Sequence, residues 1–133
     1  MSIKTKVQLS TLSYVIAYVK DVAKSAEFYR DILGMKVKVD SPGWVELDTG
    51  KTTLALHGIE NGSQKAEGIP ELVFEVENVY EAYYELKAAG VNFKSAPQQV
   101  CDEGDKVGIS ATFEDLDQNR LSIYTLLPKD KVR

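Results

Sequence analysis

His57 is the only histidine of this 133-residue chain and Cys101 its only cysteine. The groups best able to act with them are carboxylates and aromatic rings: Glu46, Glu71 and Glu75, and Tyr14, Tyr18, Trp44 and Tyr124. One imidazole with carboxylates is a minimal donor set for a divalent cation. Rings beside carboxylates also suit an organic cation, which gains from charge and from cation–π contact worth about 0.5–2 kcal/mol each. Cys101 stands next to Asp102 and Glu103, an acidic setting that opposes thiolate chemistry. Asp48-Thr49-Gly50-Lys51 is too short for a phosphate-cradling loop and reads as a hairpin turn.

Composition narrows the partners. Asp and Glu number 20 against 16 Lys and Arg, a net charge of −4, which argues against nucleic acid as a partner. A lone cysteine allows neither an internal disulfide nor a cysteine-based zinc motif. Met1–Ser10 carries Lys4 and Lys6 but no apolar run of signal-peptide length, and no stretch approaches the ~18 apolar residues of a membrane span. A cytoplasmic chain without a membrane partner is expected.

The elements that must position these groups come from a repeat. Tyr14–Val22 matches Glu71–Val79 at an offset of 57 residues. Each copy is an apolar strand ending in Asp21 or Asn78, good helix caps because their oxygens accept from the first free backbone N–H groups. A helix over Val22–Leu33 puts Val22, Ala26, Tyr29 and Leu33 on one stripe; a second over Val79–Ala89 does so with Val79, Ala82, Tyr83 and Leu86. Gly34 and Gly90 end them. The first copy continues with strands at Met35–Val39, Trp44–Asp48 and Thr52–His57. The second has Val91–Lys94, a polar loop around Cys101–Lys106, Gly108–Phe113, a turn at Asp115–Asn119, and Leu121–Leu126. One domain over 1–133 is predicted, with βαβββ modules at 12–58 and 70–127 joined by a linker at 59–69. Each module has a helix on one sheet face only, so exposed sheet edges make a homodimer an expectation.

Alternation then sorts the strands. Val15, Ala17, Val19, Val45, Leu47, Leu54 and Leu56 fall on the helix-covered face, as do Leu72, Phe74, Val76, Leu121 and Ile123. The opposite face receives Tyr14, Ile16, Tyr18, Trp44, Glu46, Asp48, Thr53, Ala55 and His57 from the first copy. From the second it receives Glu71, Val73, Glu75, Ser122 and Tyr124, with Ser110 and Thr112. Its mixture of rings and acids suits a ligand-lined hollow better than a bare surface.

The run Asp21-Val22-Ala23-Lys24-Ser25-Ala26-Glu27-Phe28-Tyr29-Arg30-Asp31-Ile32-Leu33-Gly34, set in two βαβββ units, resembles the vicinal oxygen chelate superfamily. That group includes glyoxalase I, bleomycin-resistance proteins, fosfomycin-resistance enzymes and extradiol dioxygenases. Asp115-Leu116-Asp117-Gln118-Asn119 is similar to the family's Asp-Pro-Asp-Gly turn but lacks its Pro and Gly. The resemblance covers residues 12–127 and implies an α+β fold: a curved eight-stranded mixed sheet around a cavity, helices outside, often completed by a second chain. Metal-dependent members would place ligands at Tyr14, Ala55, Glu71 and Ser122, where only Glu71 is a conventional ligand. No metal and no cofactor are therefore expected. The reading favours a bleomycin-resistance-like binder of a small cationic or aromatic molecule, with Tyr14, Tyr18, Trp44, Glu46, His57, Glu71, Glu75, Ser122 and Tyr124 facing it. The alternatives are a metal-dependent lyase or dioxygenase with a non-standard ligand set including His57, and a non-catalytic module whose acidic face meets a protein.

Overall fold

A computed structural model describes residues 5–59, 70–114, 116 and 118–133. The predicted linker at 59–69 lies outside them save for Ile59, as do Asp115 and Asp117 of the second-copy turn. The fold is α+β, with the order βαβββ occurring twice. The first run is β1 (Thr11–Val19), α1 (Val22–Glu27), β2 (Val37–Ser41), β3 (Trp44–Leu47) and β4 (Thr53–Gly58). The second is β5 (Glu71–Glu75), α2 (Val79–Ala88), β6 (Gln98–Asp102), β7 (Lys106–Glu114) and β8 (Arg120–Pro128). The chain divides into two compact units: Leu12–Leu72, and Val73–Arg133 with the described part of Met1–Thr11.

In the first unit the strands run in the order β2-β3-β4-β1. β1 and β4 are parallel, whereas β2–β3 and β3–β4 are antiparallel. Of the helix-facing set that alternation predicts, Val45, Leu47 and Leu56 are fully buried with Ala26 of α1, and Ala17, Val19 and Leu54 pack against them beside Tyr29. Val15 stays outside this cluster, and Ile16, predicted on the opposite face, is buried. The first helix departs from expectation. Asp21 caps it, its carboxylate accepting from Lys24 N at 3.0 Å, but the α-helix stops at Glu27 and Phe28–Ile32 continues as a π-helical turn. Leu33 N donates to Phe28 O five residues back, at 3.1 Å. One extra residue in a turn rotates everything after it by about 100°. Leu33, predicted on the buried stripe, is therefore 52% exposed, and Phe28 and Ile32 are exposed beside it.

In the second unit the order is β5-β8-β7-β6. α2 lays Val79, Tyr80, Ala82, Tyr83 and Leu86 onto Val107, Ile109, Ala111, Phe113 and Ile123, with Val7 and Leu9 packed at the margin. Asn78 Oδ1 accepts from Tyr80 N at 3.0 Å and Glu81 N at 3.1 Å, satisfying two donors of the first turn. Asn78→Ala is expected to cost about 1 kcal/mol of stability, read as a lowered urea midpoint with an unchanged slope.

Two strand assignments change here. Val91–Lys94, predicted as a strand, makes only the isolated bridge Phe93↔Phe113, its Phe93 ring held 4.7 Å from Tyr83 and 5.1 Å from Phe113. The edge strand forms instead at Gln98–Asp102, overlapping the predicted polar loop, because β7 supplies its pairing: Gln98↔Ser110, Gln99↔Ile109, Cys101↔Gly108, with a bulge between Gln99 and Cys101. The turn that follows is closed by Asp102. Its carboxyl is held below the usual aspartate range, first by the Gly104 N–H at 2.9 Å and then by Lys129 at 3.5 Å.

Candidate functional site

The face of the first unit opposite α1 gathers most of the predicted groups. Register sets Trp44 beside His57 across β3–β4, and His57 beside Tyr18 across β4–β1. The rings follow that row: Trp44 meets His57 edge-on at 5.8 Å between centroids, and Tyr18 lies 5.2 Å from His57. Tyr14 extends the group, its ring 6.0 Å from Trp44.

The carboxylates hold these rings in place. Glu46 Oε2 accepts from Trp44 Nε1 at 2.9 Å and from the Tyr14 hydroxyl at 3.4 Å. Glu71, first residue of β5 and only 8% exposed, accepts from the Tyr18 hydroxyl at 2.5 Å. His57 Nδ1 lies 2.7 Å from the Gly58 carbonyl oxygen. A carbonyl only accepts, so Nδ1 carries the hydrogen and the neutral ring presents its lone pair at Nε2. Lys38, which the sequence did not mark, donates to Thr53 Oγ1 at 2.8 Å next to Tyr14 in register, its strand re-aimed by the irregularity between Val37 and Val39. Asp48, predicted on this face, is exposed at the turn, its carboxylate accepting from Gly50 N.

In the second unit the predicted residues sit as follows. Ser122 is 1% exposed and hydrogen-bonds Thr112 Oγ1 at 3.0 Å. The Tyr124 hydroxyl lies 3.8 Å from Cys101 Sγ, and its ring rests on Gly108. Glu75 is exposed and lines a groove with Lys6, Gln8, Glu81 and Glu85. Cys101, set aside as a loop residue in the sequence, is thus a strand residue against a candidate ligand-facing tyrosine.

Residues 11–123 match the Glyoxalase/Bleomycin resistance protein/Dioxygenase superfamily. The chain belongs to this superfamily. It is 31% identical over 125 residues to metallothiol transferase FosB of Staphylococcus haemolyticus, covering 91% of this chain and 87% of that one. It is 32% identical over 127 residues to the uncharacterized protein YraH of Bacillus subtilis, covering 82% and 93%. Among solved structures, a superfamily member from Vibrio splendidus 12B01 aligns with a TM-score of 0.68 at 16% identity, over 86% of this chain and 97% of that one, which establishes the shared fold. Among the described residues no helix is long and apolar enough to cross a membrane.

The superfamily's metal positions can now be tested against the side chains. Ala55 is fully buried and has no donor atom, Ser122 is turned to Thr112, and the Tyr14 hydroxyl is turned to Glu46. Glu71 alone has the chemistry of a ligand, whereas a catalytic divalent site uses about three. Nor does a displaced set assemble: among the described residues no three His, Cys, Asp or Glu side chains stand together as a metal group. The donor set does not fit a divalent cation.

Proposed function

We propose that this superfamily member binds a small organic cation with aromatic character on the face of the first unit formed by Tyr14, Tyr18, Trp44, Glu46, His57 and Glu71. One observation carries the reading: the row of rings Trp44, His57 and Tyr18 is flanked by Glu46 and Glu71, so flat π surface and negative charge occupy one patch. Cation–π contact and charge complementarity act together on such a patch, and neither requires a metal.

Trp44 is the only tryptophan, so its fluorescence reports the patch directly. Titration with cationic aromatic amines is expected to quench it saturably, while neutral isosteres such as benzyl alcohol leave it unchanged. An unaltered signal across a broad cationic panel, or equal quenching by the neutral compounds, overturns the reading.

The relative named a metallothiol transferase favours a second reading, a metal-dependent enzyme of the same superfamily. Stoichiometric manganese, nickel, zinc or iron in the chain purified without chelator would support it over metal-free cation binding. A homodimer is part of the proposal as well: among the described residues β2 and β6 each end their strand order and pair on one side only, the kind of edge that proteins cover.

A further inference from the structure

We propose that this site selects cations bearing N–H groups (ammonium, amidinium, guanidinium) over fully alkylated ones, and that His57 Nε2 makes the selection; the proposal rests on the cation-binding reading above. The donors of the patch are turned inward. Trp44 Nε1 and the Tyr14 hydroxyl point to Glu46, the Tyr18 hydroxyl points to Glu71, His57 Nδ1 points to the Gly58 carbonyl, and Lys38 Nζ at the margin donates to Thr53 Oγ1. What remains for a ligand is acceptor capacity and ring surface.

His57 Nε2 supplies that acceptor. Among the described residues it has no hydrogen-bond partner, and no unpartnered side-chain nitrogen or oxygen is buried, so Nε2 meets solvent. Its ring stands between Trp44 and Tyr18, at 5.8 and 5.2 Å. A cation lying on those rings therefore brings its hydrogens to the imidazole edge. An ammonium or guanidinium donates there, forming a charge-assisted hydrogen bond while keeping its contact with the rings. A quaternary ammonium gains the same ring faces and the same charge but strips water from Nε2 without replacing it. The Nδ1–H to Gly58 bond matters because it fixes the tautomer: with the hydrogen held at Nδ1, the neutral ring cannot turn a donor toward the ligand.

Benzylammonium and benzyltrimethylammonium separate the two contributions, since they share a ring and a charge and differ in N–H. Binding to the full chain, followed by Trp44 fluorescence and calorimetry, is expected to favour benzylammonium by about tenfold, the usual effect of one charged hydrogen bond. His57→Phe, which keeps a flat ring beside Trp44 and Tyr18, should erase the preference, bringing the ratio of the two affinities to about one. His57→Gln, which returns a carbonyl acceptor, should recover part of it. Equal affinities in the native chain, or tighter binding of the quaternary probe, overturn the selection while leaving cation binding intact. An undiminished preference in His57→Phe chain shown to be folded by circular dichroism removes His57 from the role. Failure of both probes to bind overturns the cation-binding reading itself.

Discussion

Leu56→Ala is expected to cost about 2–5 kcal/mol of folding stability, toward the upper part of that range. Leu56 is fully buried on β4, opposite Val45 of β3 and Ala17 of β1, and it forms the floor under Ala26 of α1 together with Leu47. Cavity cost depends on how far the neighbours can collapse, and here they are poorly able to do so. Val45 and Leu47 are fixed by strand pairing, while Ala17 and Ala26 have no side chain to extend into the space. Trp44 precedes Val45 on the same strand, so urea unfolding followed by tryptophan fluorescence reads this unit. Ile32→Ala is the comparison: Ile32 is 71% exposed on the π-helical turn and should change stability by no more than about 0.5 kcal/mol. A loss below 1 kcal/mol for Leu56→Ala would mean that α1 does not seal this core.

How far these packing relations were legible follows from where period and burial agree. Parity worked on β3, where Val45 and Leu47 alternate with Trp44 and Glu46 and are covered by α1; on β4 it put Leu56 under α1 and His57 opposite, but Thr53 and Ala55, on the face of His57, are buried as well. It worked again on β8, where Leu121 and Ile123 join α2 and Ser122 and Tyr124 do not. It failed at Gln98–Asp102, an edge strand whose Gln98, Gln99 and Val100 are all exposed, so no apolar alternation marks it; its register is imposed by β7. The π-helical turn was equally silent, since an amphipathic stripe assumes 3.6 residues per turn and a single widened turn leaves composition unchanged.

Side-chain types marked the ring-and-carboxylate patch, but its internal chemistry needed coordinates. Glu46 and Glu71 read in the sequence as negative charge offered to a ligand; in the structure each also orients rings, Glu46 those of Trp44 and Tyr14, Glu71 that of Tyr18. A two-residue spacing on one strand face is visible in Trp44-Val45-Glu46, whereas the Tyr18–Glu71 pair joins residues 53 apart in sequence. His57 was notable only for being alone. Its tautomer depends on the carbonyl of the very next residue, a backbone direction that no side-chain pattern encodes.

Gly108→Ala is the second large effect expected, about 1–3 kcal/mol of destabilisation from adding one methyl group. A Cβ at Gly108 would stand 2.6 Å from Cys101 Sγ and 2.8 Å from both Cε1 and the hydroxyl oxygen of Tyr124, well inside van der Waals contact. Glycine in a strand interior marks such close approaches, and here the approach is diagonal: Tyr124 of β8 pairs with Ser110, two residues along from Gly108, and leans its ring across the bare backbone. The atoms in the way are side-chain ends, so the strand can keep its pairing if the Tyr124 ring swings off and Cys101 gives way; the cost is the packing those two groups lose. A double-mutant cycle isolates that account. Tyr124→Ala removes the ring, so Gly108→Ala should be at least about 1 kcal/mol less damaging in that background than in the native chain, measured by urea denaturation. Additivity within about 0.5 kcal/mol would show that the ring does not rest on Gly108. Strong coupling, in contrast, would explain why a glycine occupies a buried β7 position between Val107 and Ile109, both of which bury their side chains under α2: Gly108 faces the other way, and its missing side chain is what seats Tyr124.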